Sequence, residues 1–169
     1  MTDYFKYLIH LLSTPDSGKA KMLKAAIHNP YWDSLGGGER YTSAVVRHLL
    51  DKKYEVDIYF GSNLTLQIKE RFGIDISGAK FVEGKIDRPY DLVFWVSDGS
   101  LPTLVGQKVI IHFQFPFTNV GGRSLKNLIK SKLYRYVVNS QFTKKFIDVE
   151  FGIDSIVIYP PIDTKAYKP

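Results

Sequence analysis

The sequence has no cysteine among its 169 residues, which excludes disulfides and thiolate metal sites. It contains no apolar run approaching the roughly 20 residues that cross a bilayer. The opening residues, Met-Thr-Asp-Tyr-Phe-Lys, lack the basic stretch and apolar run of a signal peptide. We therefore expect a cytoplasmic protein, since a chain without cysteine suits a reducing compartment.

Acidic residues are missing from one part of the chain. Residues 118–147 contain no aspartate or glutamate but seven lysines and arginines. These seven exceed the net charge of +6, so the remainder of the chain is slightly acidic. Basicity confined to one segment favours a local anionic partner and argues against a general nucleic-acid binder.

An amphipathic pattern lies within this basic stretch, between Arg123 and Arg135. Apolar residues fall at i, i+3, i+4 and i+8 from Leu125, which predicts a helix with a cationic face. Two interpretations are open. The helix could pack on the domain with a solvated lysine face, or it could dock on an anionic membrane surface and make the protein peripheral.

Hydrophobic residues make up 44% of the chain, enough to build the core of one domain. Short, continuous apolar runs alternate with segments of helical periodicity. The predicted strands cover residues 22–28, 55–60, 80–82, 91–96, 108–112, 136–139 and 155–159. The predicted helices cover residues 38–51, 64–72, 123–134 and 141–150.

Strands that are apolar throughout are typical of a parallel sheet covered on both faces. Their alternation with helices predicts an α/β fold, a Rossmann-like, doubly wound, mainly parallel sheet with helices on both faces. A helical leader over residues 1–22 is expected to precede this domain, which spans 23–160. Prolines after the last strand predict a domain edge, so residues 161–169 should begin a linker.

A glycine loop, Gly36, Gly37 and Gly38 followed by Glu39, separates the first strand from the first long helix. Glycines let backbone N–H groups approach a ligand, and the start of a helix attracts anions. The loop therefore predicts a phosphate site, although it fits neither the dinucleotide fingerprint nor the P-loop. Alternatively, the glycines only permit a tight turn, and Glu39 only favours the helix N-terminus.

Three polar residues after predicted strands are further candidates. Asp98 lies in a Ser-Asp-Gly turn, where it could bind an acceptor hydroxyl or form an Asx-type turn. Ser140 and Thr143 open a helix after a buried strand. Ser140 is a natural N-cap, so capping and substrate binding are both open for this pair.

Four segments resemble, in order and spacing, the N-terminal domain of GT-B glycosyltransferases of the large retaining family four. They are residues 26–31 leading into the glycine loop, 109–116 (Val-Ile-Ile-His-Phe-Gln-Phe-Pro), 138–145 (Val-Asn-Ser-Gln-Phe-Thr-Lys-Lys) and 156–163 (Ile-Val-Ile-Tyr-Pro-Pro-Ile-Asp). The likeness spans about residues 23–165, and its last two segments are the most specific.

The resemblance implies half of a hexosyltransferase with two Rossmann-like domains. This half would hold a glycan, lipid-linked or small-molecule acceptor, with the glycine loop beside the diphosphate of a nucleotide-diphosphate sugar. That sugar nucleotide is a co-substrate, and no metal or other cofactor is implied. His112 matches a histidine near the transferred sugar, where it would bind a hydroxyl or support the leaving group electrostatically. Position alone favours a structural histidine at a strand end, and it is the resemblance that favours the functional role.

The family's second domain, which binds most of the donor, has no counterpart in this sequence. We therefore expect the chain alone to be inactive. Two other functions are open, a free-standing Rossmann-like binding module and part of a GT-B-like sugar-nucleotide epimerase. The Asn-Ser-Gln-Phe-Thr and Tyr-Pro-Pro-Ile-Asp sequences favour transfer over epimerisation.

Overall fold

The computed structural model describes residues 22–161; the predicted linker after residue 161 and all of the leader except Met22 lie outside them. The described strands are β1 (Lys24–His28), β2 (Glu55–Tyr59), β3 (Lys80–Val82), β4 (Tyr90–Val96), β5 (Gly106–Phe113), β6 (Arg135–Val138) and β7 (Ile156–Val157). The described α-helices are α1 (Gly37–Asp51), α2 (Thr65–Phe72), α3 (Leu125–Ser131) and α4 (Gln141–Phe151). This alternation confirms the α/β class.

The strands form one parallel sheet in the order β3-β2-β1-β4-β5-β6-β7. Ile27 of β1 pairs with Ile58 of β2 on one side and with Phe94 of β4 on the other. β2 and β3 therefore extend the sheet on one side of β1, whereas β4 to β7 extend it on the other side. The strand order reverses between β1 and β4. In such sheets, ligands bind beyond the carboxyl ends of the strands near the point of reversal.

Two hydrophobic cores cover the two faces of the sheet. Ile27 belongs to a core that includes Val45 of α1 and Ile68 of α2. Its neighbour Ala26 points to the opposite face, where the core includes Ile147 of α4. Since successive side chains of a strand alternate between faces, a sheet buried on both sides favours apolar residues on both faces of each strand. The predicted doubly wound architecture is confirmed.

The helix predicted over residues 123–134 is longer than α3. Arg135 pairs with Ile110 of β5, so the chain must leave the helix to join the sheet. Tyr134, predicted to be helical, is buried, and its hydroxyl accepts a hydrogen bond from the Leu104 N–H at 3.0 Å. β7 is likewise shorter than predicted, with two residues. In both places tertiary pairing sets the boundary.

Candidate functional site

A cavity of about 400 Å³ lies at the carboxyl edge of the sheet. Its walls come from the start of α1, the end of β5, and the segments that follow β5, β6 and β7. The lining residues are Gly37, Gly38, Arg40, Tyr41, His112, Gln114, Phe115, Asn139, Pro160 and Pro161. Segments far apart in the chain meet here because parallel strands bring their carboxyl ends to one edge.

The buried carboxylate of Glu39 fixes the conformation of the glycine loop through hydrogen bonds. Its carboxylate accepts hydrogen bonds from the Gly36 N–H at 2.8 Å, the Ser34 hydroxyl at 2.6 Å and the Asn29 amide at 3.1 Å. The residue is only 3% exposed. A glutamate at the third helical position that binds back to the N-cap N–H fixes how the chain enters the helix. Glu39 and Gly36 thus shape the loop, and neither is among the lining residues.

Of the loop glycines, Gly37 and Gly38 line the cavity. A side chain would have different consequences at the two positions. A Cβ on Gly38 would lie 1.9 Å from Oε1 of Gln114, so a side chain there would displace Gln114. A Cβ on Gly37 would meet nothing within 4 Å among the described residues. The positive φ of this turn falls on Leu35, at 47°, and not on the glycines. The described fold therefore does not require glycine at position 37. Because Gly37 has no side chain, a ligand in the cavity can approach its backbone.

The start of α1 is suited to an anion. Backbone N–H groups in the first turn of a helix have no intrahelical acceptor, and they lie at the positive end of the helix dipole. α1 is 15 residues long and begins at Gly37, on the cavity wall. Arg40 adds a permanently charged guanidinium to the same lining. Since the lining residues within 22–161 include no carboxylate, this wall matches a phosphate or diphosphate.

His112, near the end of β5, borders the cavity and is fully shielded from solvent. Its ring stacks on Tyr41 at 4.4 Å and on Phe94 at 5.5 Å between centroids. Neither ring nitrogen has a hydrogen-bond partner of normal geometry within residues 22–161. Burial lowers the pKa of His112 to about 3, and the backbone of Val137 opposes this only in part. The imidazole is therefore neutral at pH 7, and both of its nitrogens are buried, as in a structural histidine.

Ser140 and Thr143 hold Asn139 at the cavity wall. The Ser140 hydroxyl oxygen accepts the Thr143 N–H at 3.1 Å and caps α4, so the capping interpretation is confirmed. The Thr143 hydroxyl donates to Oδ1 of Asn139 at 2.8 Å, and the Asn139 amide donates to the Gln114 carbonyl at 2.9 Å. Of this chain of contacts, Asn139 and Gln114 line the cavity. Substrate contact by Ser140 or Thr143 itself stays a prediction.

Asp98 follows β4 and forms the Asx-type turn. Its Oδ1 accepts the Ser100 N–H at 3.1 Å and the Ser100 hydroxyl at 2.7 Å, and the hydroxyl bond is the main cause that lowers the pKa of Asp98. The negative charge of Asp98 acts on His28 and Tyr31, at and just beyond the end of β1. Burial lowers the pKa of His28 to about 4, and its ring stacks on Trp95 at 3.6 Å. A carboxylate, a neutral imidazole and a phenol therefore cluster where the strand order reverses.

Sequence analysis missed several residues of this site. Gln114 and Asn139 lie in segments that carry the resemblance, but no local pattern marks them as site residues. They become neighbours because β5 and β6 are paired in parallel just before them. Tyr31 contacts Phe115 edge-on, with 6.2 Å between ring centroids, and so connects the Asp98 cluster to the cavity.

No protein-family model, curated protein or solved structure gives a significant match to this chain. Within residues 22–161, no group of three or more histidine, aspartate or glutamate side chains is placed to hold a metal ion. Of the helices in the same range, none combines the length and the apolar character needed to traverse a bilayer.

Proposed function

We propose that this chain is the N-terminal, acceptor-side domain of a retaining glycosyltransferase that uses a nucleotide-diphosphate sugar. The observation that carries the proposal is the meeting of the α1 N-terminus and the His112 ring at one cavity. The four segments that resemble family four support the same activity. A ligand site at the carboxyl edge of a Rossmann-like sheet agrees with it.

The start of α1 would bind the diphosphate of the donor. Gly37 permits close approach of the backbone, the helix dipole favours the anion, and Arg40 supplies a full positive charge. Negative charge grows on the diphosphate as the bond to the sugar breaks. Donors already oriented toward that group stabilise the transition state more than the ground state.

His112 would hydrogen-bond a hydroxyl of the transferred sugar once the cavity wall opens around its buried ring. A neutral imidazole offers one donor and one acceptor, which matches the hydrogen-bonding pattern of a hydroxyl. Its low pKa disfavours the other role that the resemblance implied, a charged imidazole that supports the leaving group. Because the ring is shielded from water, a hydrogen bond formed there gains strength from the low local dielectric.

The Asp98 cluster would face the acceptor. During transfer, the acceptor oxygen forms a bond to the anomeric carbon while the bond from that carbon to the diphosphate breaks. The hydroxyl proton passes to the departing phosphate. On this proposal the chain supplies one wall of the cleft, and a second domain supplies most of the contacts to the nucleotide.

A pair of matched glycine variants tests the phosphate role. We expect the 169-residue chain to bind inorganic diphosphate saturably in an NMR titration, and Gly37→Ala to weaken that binding by about tenfold because a methyl group blocks the backbone approach. Gly61→Ala is the control, since a Cβ there also meets no described atom within 4 Å. Equal dissociation constants for the two variants, or no saturable binding by the unmodified chain, would overturn the assignment.

A further inference from the structure

Most of the apolar surface of α3 is left uncovered by the described residues. α3 has no buried residue. Leu125 and Ile129, one helical turn apart, are 76% and 60% exposed, and Leu133, just beyond the helix, is 70% exposed. The interpretation of a helix packed on the domain with a solvated lysine face stays open for Leu128, which is 42% exposed, but it does not account for Leu125, Ile129 and Leu133.

Hydrogen bonds hold this segment in a defined position. The Arg123 guanidinium donates to the Val149 carbonyl at 2.9 Å, and the Lys130 ammonium donates to the Leu101 carbonyl at 2.6 Å. These two cations bind the helix to the domain body from both ends. The exposed apolar row is consequently presented on a fixed helix.

Positive charge surrounds the apolar row. Lys126 and Lys132 are exposed beside it. The acidic residues of the adjoining elements are engaged with other groups. Glu150 accepts backbone N–H bonds from the loop at residues 119–122, and Asp154 pairs with Lys144.

We propose that residues 123–135 dock this chain on an anionic lipid bilayer. Lysine is depleted from the cores of protein–protein interfaces, whereas helices that lie in a bilayer surface combine leucine with lysine and arginine. The lysine stems can follow the apolar surface while their ammonium groups reach anionic headgroups. This charge complementarity selects a lipid surface over a second copy of the chain, whose own segment would carry the same positive charge.

Vesicle flotation tests the proposal with the full 169-residue chain. We expect binding to phosphatidylcholine vesicles that contain phosphatidylglycerol, little binding to phosphatidylcholine alone, and release at high salt. Leu125→Ser with Ile129→Ser should lower the partition coefficient by about tenfold, because apolar insertion is lost. Lys126→Glu with Lys132→Glu should lower the partition coefficient by about tenfold or more, because each positive charge near the surface contributes to the attraction.

The controls lie outside the segment. Leu66→Ser removes a leucine that is 64% exposed on α2, and Lys52→Glu with Lys85→Glu makes the same change in net charge. Both should bind like the unmodified chain. Equal binding to neutral and anionic vesicles, no binding to either, or an equal loss in the control variants would refute the proposal. Self-association that Leu125→Ser with Ile129→Ser abolishes would identify a second copy as the occupant and would also overturn it. No residue of the cavity is used here, so failure of the diphosphate titration leaves this test unaffected.

Discussion

Protonation of His112 should make the fold sensitive to mild acid. The pKa of this histidine is about 3 in the folded chain and close to the ordinary 6.5 in the unfolded chain, because folding buries its ring. A lowered histidine pKa stabilises the fold fully above pH 6.5. The stabilisation is then lost as the pH falls from 6.5 toward 3, since the unfolded chain takes up a proton that the folded chain excludes.

The size of the effect follows from the linkage relation. Between pH 7 and pH 4.5, His112 alone should remove about 2.5 kcal/mol from the free energy of unfolding, at about 1.36 kcal/mol for each pH unit below the unfolded pKa. His28 acts in the same direction, because its pKa is lowered to about 4. Asp98, whose pKa is also lowered, loses its stabilising effect mainly below its ordinary pKa of 3.8, whereas Glu55 and Glu150 begin to lose theirs near 4.5.

Urea unfolding followed by tryptophan fluorescence measures this dependence at several pH values between 7 and 4.5. The variant His112→Gln cannot take up the proton, so its free energy of unfolding should fall by about 1.4 kcal/mol less per pH unit than that of the unmodified chain. Absolute stability at pH 7 is not the readout, since the variant also loses the stacking on Tyr41. An NMR titration gives a second readout that needs no variant. Equal slopes for the two chains, or an imidazole resonance of His112 that titrates near pH 6.5, would refute the reasoning.

Three further predictions concern the glycine loop, the α4 cap and the isolated chain. Glu39→Ala should lower the free energy of unfolding by about 2–3 kcal/mol, because it leaves buried donors unsatisfied; urea unfolding checks this, and an unchanged midpoint would contradict it. Ser140→Ala should lower it by about 1 kcal/mol through loss of the N-cap, and Ser140→Thr, which keeps a capping oxygen, serves as the control. On the proposed function, the chain alone should bind diphosphate but show no glycosyl transfer in a radiolabelled donor assay, because transition-state stabilisation would need both walls of the proposed cleft. Turnover by this chain alone would show that the second domain is unnecessary.

Local sequence patterns predicted most of the fold. The apolar strand pattern and the helical periodicity of residues 38–51 depend on side-chain repeats within one element, and the observed β1 and α1 agree with them to within two residues. Ser140 was predicted as an N-cap for the same reason, since capping involves groups three residues apart. The Asx-type turn at Asp98, one of two interpretations, is also local.

The composition of the site depends on contacts between residues far apart in the chain. Gly38 and Gln114 are 76 positions apart, and their contact, which distinguishes the role of Gly38 from that of Gly37, exists only in the folded sheet. The shielding of His112 has the same origin, because Tyr41 comes from α1 and Phe94 from β4.

The sequence by itself determined the α/β class, the glycine loop at a helix start and the charge of residues 123–135, since each depends on neighbours in the chain. Tertiary structure alone decided that the His112 imidazole is buried and neutral, and that Leu125 and Ile129 of α3 are exposed. Burial depends on which other elements cover a residue. That coverage is set by strand order and by helix packing, which no local repeat encodes.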